Sequence, residues 1–325
     1  MVKQNIIAPQ KRFNSFLGQQ WFIFLFFLFL PRHFKRTAMK MNTQTKAVLF
    51  LFIGFYPAIA YAINHVPIGA KSKAMAGNSV ALTDFWSLYN NAAIMPFSKK
   101  NGIGLYYDNR FLLKETSTLC LGGQWHIDKA GAFGFYTSHF GYKNYAEWNI
   151  GLAYAKSFAD IFSFGLQFDY LLHYFGDKTY GKCHAFTFEI GMYGKISKSL
   201  SLGFHVYNPA RLKTTTYNQT KEYIPTVFRF GLAYRIAKKC LLSVEVEKDL
   251  DYKPLFRIGM EYEIASKLYF RGGFCLPEME FALGAGLHIS MIRIDFASTY
   301  HGVLGYSPQI SLIYTIKDYG KNKVL

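Results

Sequence analysis

Long apolar runs are rare in this chain. The run over residues 21–30 contains ten apolar residues, whereas a helix that crosses a bilayer needs about 20. The sequence therefore disfavours a helical membrane protein.

Cysteine is scarce as well. The chain has 4 cysteines, Cys120, Cys183, Cys240 and Cys275, and no Cys-x-x-Cys pair, which excludes the common zinc and redox motifs. Cys120, Cys183 and Cys275 share the strand parity that we assign below to the interior. They either bridge in pairs or remain buried or lining thiols.

Acidic residues are outnumbered, with 20 Asp and Glu against 37 Lys and Arg. Residues 1–62 contain no acid at all, so part of the net charge of +17 lies there. The remaining positive charge is spread through turns and strands and forms no stripe. We therefore expect no nucleic-acid partner.

Catalytic signatures are absent. The chain lacks a Gly-x-Ser-x-Gly elbow, a phosphate loop and a dinucleotide fingerprint. Its 9 histidines form no His-x-x-x-His pair. The carboxylate pairs Glu245/Glu247 and Glu261/Glu263 invite an acid–base role, but arginines lie within reach of each. We expect no enzyme, no catalytic residue, no cofactor and no metal site.

The most regular feature of the chain is that large apolar residues alternate, at every second position, with small or charged residues. Over residues 227–236, Phe228, Phe230 and Leu232 point one way, and Arg229 and Gly231 point the other. The same register recurs in many segments between residues 100 and 316. Large apolar residues on one face, with small and charged residues on the other, are typical of a transmembrane barrel. A soluble all-β domain, with the large residues inside, is the alternative.

The connections between these segments alternate between long and short. Long ones are predicted at residues 137–147 and 208–225, among others, and short ones at 128–129 and 290–291. Bacterial outer-membrane barrels have an even strand number, tight periplasmic turns and longer outer loops. The sequence predicts an all-β, antiparallel barrel of about 14 strands, over residues 99–316, in the outer membrane of a Gram-negative bacterium. The loop over residues 208–225 is either an outward contact surface or an ordinary loop.

The N-terminal part carries an export signal. Residues 41–62 combine Lys46, an apolar core and the small-residue site Ala60-Tyr61-Ala62, as a cleaved signal peptide does. Residues 1–40 are then an over-extended start or an unusual leader. Residues 317–325 form a polar tail.

Residues 63–98 contain much Gly, Ala, Ser and Asn. They are too polar to face lipid and too apolar for an ordinary exposed tail, and a barrel of this width needs a plug or it conducts water. We call residues 63–98 the hatch and predict that they fold into the lumen. The alternative is a disordered periplasmic lead-in.

The hatch contains a motif at positions Gly69, Lys71, Met75, Gly77, Asp84, Asn90, Asn91 and Ala92. It resembles the entry motif of PorV/PorQ-type, FadL-like outer-membrane barrels, which runs from Gly-Ala-Arg-x-x-x-Met-Gly-Gly-Ala through an acidic residue to Asn-Pro-Ala. This chain differs from that motif in having Lys71 for the Arg, Ala76 for the first Gly of the pair and Asn91 for the Pro. The resemblance implies a luminal hatch.

Inward-facing charges gather in the C-terminal half, where opposite charges on neighbouring strands can pair across the wall. We expect a charge ladder that stiffens the lumen and holds the hatch, or a constriction that selects a substrate. Its members are Arg229, Arg235, Glu245, Glu247, Arg257, Glu261, Glu263, Arg271, Arg293 and Asp295.

Three functions fit these features. The first is a FadL-like channel that lets a hydrophobic or amphipathic small molecule cross the outer membrane passively. Such a channel predicts an apolar luminal pocket or a lateral opening. The second, implied by the resemblance, is a component or cargo-binding partner of a type IX secretion system. The third is a structural surface barrel. Outer-membrane lipid is a partner in all three.

Overall fold

The computed structural model describes residues 66–98, 100–176, 181–215 and 221–318 of the chain. The predicted signal peptide, the segment before it and the tail after residue 318 lie outside these ranges. No helix among the described residues is long and apolar enough to cross a membrane.

Strands make up most of the described chain. They are β1 (Lys100–Asn109), β2 (Ser117–Ile127), β3 (Gly131–Tyr142), β4 (Tyr145–Phe158), β5 (Phe162–Phe175), β6 (Lys182–Lys195), β7 (Leu200–Tyr207), β8 (Lys213–Thr215), β9 (Lys221–Tyr223), β10 (Val227–Ala237), β11 (Cys240–Asp249), β12 (Leu255–Ala265), β13 (Leu268–Leu276), β14 (Glu280–Ile289), β15 (Ile292–His301) and β16 (Gly305–Asp318).

Fourteen of these strands form a closed barrel. Neighbours along the chain pair antiparallel, β10 pairs with β7, and β1 pairs with β16 to close the wall. The remaining two, β8 and β9, form a separate hairpin between β7 and β10. The predicted architecture is confirmed.

Short helices lie before the barrel and after β1. Those in the hatch are α1 (Ala70–Ala74), α2 (Ser87–Asn90), a 3-10 turn (Ala92–Ile94) and α3 (Met95–Ser98). Two more 3-10 turns, Arg110–Leu112 and Lys114–Thr116, connect β1 to β2.

The two ends of the barrel differ in their connections. The end that holds residues 128–130, 238–239 and 290–291 has only tight turns, and we call it the short-turn end. The opposite end holds the long connection over residues 208–226.

One predicted loop is wrong. Residues 137–147 are mostly strand, and β3 and β4 meet at a turn made of Lys143 and Asn144 alone. The polar run after Thr137 suggested a loop. These residues instead continue the ladder, where the ring of His139 lies 4.6 Å from that of Trp148.

The faces of the wall follow the predicted parity. Phe230 is 51% exposed and Tyr262 is 46% exposed, whereas the neighbouring Arg229 is fully buried. The large apolar side chains therefore point away from the interior, which excludes the soluble alternative.

An arginine at Leu232, in the middle of β10, tests this assignment. We expect Leu232→Arg to lower the free energy of unfolding by about 2 to 4 kcal/mol, because a charge is costly at the bilayer midplane. Urea unfolding in lipid vesicles measures it.

Ile236→Arg is the matched control. Ile236 is exposed, whereas Leu232 is half-buried, and Ile236 lies next to the turn at the end of the same strand, where an arginine costs only about 0 to 1 kcal/mol. Equal losses in the two variants would contradict the assigned membrane depth.

Candidate functional site: the hatch and the inner wall

The described part of the hatch, residues 66–98, lies inside the barrel. Trp86, Leu88 and Met95 are completely buried, and they share an apolar cluster with inward residues of the wall such as Tyr106 and Tyr136. The predicted luminal position is confirmed for these residues, and the disordered lead-in is excluded for them.

Glycines of the inner wall make room for the hatch. A side-chain carbon at Gly203 would lie 1.9 Å from the carbonyl oxygen of Val80. At Gly165 it would lie 2.3 Å from the backbone nitrogen of Ala93. The small inward residues predicted from the sequence therefore serve close backbone contact.

Wall carboxylates also bind the hatch. Glu245 Oε2 accepts hydrogen bonds from the backbone N–H groups of Ser79 (2.7 Å) and Val80 (2.9 Å). Lys71 Nζ donates to Glu261 Oε1 at 3.0 Å. Hydrogen bonds to charged groups are stronger than neutral ones, so these contacts fix the hatch to β11 and β12.

Two motif glycines have backbone conformations that favour glycine. Gly69 has φ 108° and lies against Trp86, and Gly77 has φ 84° and lies against Arg257. Met75, between them in sequence, is completely buried. Any other residue at Gly69 or Gly77 would be strained.

The two motif asparagines make different contacts. Asn90 bonds both backbone groups of Ile68, at 2.9 Å and 2.8 Å. Asn91 Nδ2 donates to the Val80 carbonyl at 2.8 Å and lies 3.3 Å from that of Met192 in the wall. Its Oδ1 accepts from the N–H of Ala93 and caps the 3-10 turn that begins at Ala92.

The difference from the family pattern at Asn91 has a structural explanation. The φ angle of Asn91 is −164°, and its N–H donates to the carbonyl of Ser87 at 3.0 Å. Proline fixes φ near −65° and has no N–H, so the Pro of the family motif does not fit this backbone.

A chain of six alternating charges begins and ends on the hatch. Its contacts in order are Lys71–Glu261 (3.0 Å), Glu261–Arg271 (2.6 Å), Arg271–Asp295 (2.7 Å), Asp295–Arg293 (2.6 Å) and Arg293–Asp84 (2.6 Å). Its formal charges cancel. Each buried carboxylate faces a cation, which avoids the cost of an unpaired buried charge.

A second neutral group adjoins the first. Arg229 pairs with Glu247 (2.7 Å), and Arg257 bridges Glu247 (3.0 Å) and Glu245 (3.4 Å). The two groups unite eight of the ten sequence-predicted ladder residues.

Arg235 and Glu263 lie outside both groups. Arg235 is exposed and Glu263 is half-buried, near the short-turn ends of β10 and β12. Within the described residues neither forms an ion pair. Alternation along the strand could not show that these two residues lack a charged partner among the described residues.

Asp84 is ionised in its site. Burial favours the neutral acid, but the charges of Arg293 and Lys71 outweigh it and hold the pKa of Asp84 below its ordinary value. The contact between the hatch and β15 is therefore a full ion pair.

Sequence reasoning missed a polar cluster on β3, β5, β6 and β7. Asp169 Oδ1 accepts from Tyr136 Oη (2.6 Å) and Gln167 Nε2 (3.1 Å), and Glu189 Oε2 lies 2.6 Å from His205 Nε2. All five side chains are buried. Parity could have found them, because each occupies an inward position, but they lie apart from the dense charges of the C-terminal half.

The cysteines form no disulfide. All four are free thiols, and Cys120, Cys183 and Cys275 are buried. The open choice between bridges and thiols is settled in favour of thiols. No group of three or more His, Cys, Asp and Glu among the described residues could hold a metal ion.

One cavity among the described residues lies between the hatch and the wall, and another lies on the outer face of the wall. The short-turn cavity has a volume of about 180 Å³. Its lining combines hatch residues 83–85 and 97–98 with wall residues of β1, β2 and β14–β16. The wall residues are Lys100, Asn101, Gly102, Gln124, His288, Ser290, Met291, Ile292, Arg293, Ile313 and Thr315.

The second cavity, the outer depression, has a volume of about 360 Å³ on the outside of β2–β5. Its lining is apolar and includes Trp125, Phe133, Leu152 and Phe168. The ladder between β3 and β4 is continuous behind it. The wall therefore has no lateral opening between β3 and β4, and the cavity beside the hatch, the short-turn cavity, is only partly apolar.

Several solved structures have a similar barrel fold. The P. putida toluene transporter TodX aligns with a TM-score of 0.55 at 10% identity, over 78% of this chain and 99% of TodX. The CymD monoaromatic hydrocarbon channel gives 0.58 at 12%, over 78% and 98%. A Pseudomonas aeruginosa FadL homologue gives 0.53 at 12%, over 78% and 98%.

No family model and no curated protein matches this chain. At such identities the likeness concerns the fold alone, and the PorV/PorQ resemblance stays a prediction. The chain therefore shares its closed barrel fold with TodX, CymD and the FadL homologue.

Proposed function

We propose that this barrel lets a hydrophobic or amphipathic small molecule cross the outer membrane of a Gram-negative bacterium, with the short-turn end in the periplasm. The observation that carries the proposal is a hatch seated inside a closed barrel whose fold matches channels for hydrocarbons. Tight turns on the periplasmic side are the rule for such barrels.

The charge ladder fits the role of a hatch holder better than that of a substrate filter. Eight of its ten charges are paired with each other or with Lys71 and Asp84, so among the described residues of the ladder only Arg235 and Glu263 are left to select a solute. The pairs tie the hatch to β12 and β15 but leave it a separate segment that can move.

Passage requires that movement. The hatch occupies the middle of the lumen, and the ladder behind the outer depression is continuous. A molecule therefore crosses only when part of the hatch leaves its seat. No observation favours a secretion-partner role over this one.

A reversible disulfide between the hatch and the wall, called the lock below, tests the proposal. Ala76 of the hatch packs against the native Cys275 of β13, so Ala76→Cys provides a second thiol at this contact. We expect oxidation to stop uptake of radiolabelled toluene or oleate by cells that carry the variant, and reductant to restore it.

The matched control carries Ala76→Cys together with Cys275→Ser and cannot form the lock. Its uptake should be the same with and without oxidant. Undiminished uptake by a protein shown by peptide mass to be fully cross-linked would overturn passage past a moving hatch.

A further inference from the structure

The short-turn cavity is large enough for a small organic molecule. Its volume is about 180 Å³, and an engineered cavity of about 150 Å³ binds benzene. One aromatic ring with a few added atoms therefore fits.

Part of the lining is apolar. Phe85 and Phe97 of the hatch and Ile313 of β16 line the cavity, and all three side chains are buried. Phe97 is held in place by Tyr193, whose ring centre is 5.0 Å away. These side chains suit a ring or a short chain.

Buried polar atoms of two uncharged lining residues, Gln124 and His288, lack a hydrogen-bond partner among the described residues. Gln124 is completely buried, and its Nε2 donates to the Lys100 carbonyl at 3.1 Å. Its Oε1, like Nε2 of His288, has no hydrogen bond among the described residues. Such atoms in a protein interior normally find a partner, since leaving them unpaired is costly.

The charges in the lining disfavour an ionised ligand. Arg293 is already paired with Asp84 and Asp295, both at 2.6 Å. Lys100, the other cation in the lining, is exposed to solvent. Gln124 Oε1 accepts a hydrogen bond, and His288 Nε2 can donate one. A ligand whose polar group both donates and accepts a hydrogen bond therefore suits this pair of atoms.

We propose that the short-turn cavity binds a small apolar molecule that carries one hydroxyl group, such as a phenol or an aromatic alcohol. The hydroxyl donates to Gln124 Oε1 and accepts from His288, and the ring lies among Phe85, Phe97 and Ile313. This inference rests on the proposed function, because it names the class of molecule that reaches the periplasmic end of the barrel.

Fluorine NMR on the intact protein in lipid nanodiscs tests the inference. The probes are para-fluorophenol, para-fluorotoluene and para-fluorobenzoate, each titrated against empty nanodiscs to subtract partitioning. We expect the phenol to bind about tenfold more tightly than the toluene, which is the size of one buried hydrogen bond. The benzoate should bind more weakly than the phenol.

Two variants locate the binding. His288→Leu should reduce the advantage of the phenol over the toluene to less than about threefold, because it removes one of the two polar partners. Thr83→Trp should abolish binding of both probes by filling the cavity. Thr83 is exposed and belongs to the hatch side of the lining, and its contact with the wall is a single hydroxyl pair with Tyr193 at 3.3 Å.

Equal affinities for phenol and toluene in the unmodified protein would overturn the inference, and so would an advantage that survives His288→Leu. These readouts are independent of transport. If the cross-linked hatch leaves uptake unchanged while the phenol still binds, the proposed route fails and the cavity assignment stands.

Discussion

Gly203→Val is expected to drive the hatch out of the barrel and turn the protein into an open, water-filled pore. The first side-chain carbon at this position would lie 1.9 Å from the carbonyl oxygen and 2.5 Å from the carbonyl carbon of Val80. Both are backbone atoms, so no rotamer change relieves the clash.

The consequences extend beyond one contact. The Val80 carbonyl accepts the 2.8 Å hydrogen bond from Asn91, and the Val80 N–H binds Glu245. A displaced Val80 therefore breaks contacts to β11 and within the hatch together. A barrel of 14 strands is wider than its side chains can fill, so without the hatch it conducts water and ions.

Planar bilayer recordings measure the effect. We expect large conductance steps from Gly203→Val and a closed barrel from Gly194→Val. A side-chain carbon at Gly194, on the same sheet, would lie 3.7 Å from its nearest neighbour atom, so this position controls for the loss of glycine. A closed Gly203→Val barrel, shown to be folded by gel mobility before and after heating, would refute the seating of the hatch.

Arg271→Met is expected to lower the free energy of unfolding by about 3 to 5 kcal/mol, the range for removing one partner from a buried ion pair. The guanidinium of Arg271 is fully buried between Glu261 and Asp295. Methionine fills similar space but leaves both carboxylates without their shared cation. The substitution also weakens the attachment of the hatch to the wall, since Glu261 binds Lys71 of the hatch and Asp295 orients Arg293.

Guanidinium unfolding in detergent measures the change, with Arg235→Met as the control. Arg235 is exposed and lies outside both charge groups, so its loss should cost less than about 1 kcal/mol. Similar losses in the two variants would show that the charge chain adds little stability.

Much of the fold could be predicted from the sequence, because successive residues of a barrel strand face lipid and lumen in turn. The residue types at these positions therefore alternate. In β10 the alternation of Phe230 and Gly231 gives both the strand and its faces. The turn at Lys143 and Asn144 was missed because a strand that continues beyond the apolar band carries polar residues on both faces, as a loop does.

The contacts inside the barrel were harder to predict. Parity shows that Gly203 and Glu245 point inward, but not that both meet residues 79–80 of the hatch. Such contacts join positions more than a hundred residues apart and depend on the whole barrel. The contact between Asp169 and Tyr136 is a further example. It depends on Gly151 of β4, where a side-chain carbon would lie 2.1 Å from the tyrosine ring.

The seam between β1 and β16 has a consequence for biogenesis. The hatch directly precedes β1, and the wall closes only when the last strand pairs with the first. A growing barrel that still lacks residues 305–318 therefore cannot enclose its N-terminal segment, although that segment is synthesised before any strand. Enclosure of the hatch is therefore complete only once β16 pairs with β1, so that plug and wall reach their final structure together.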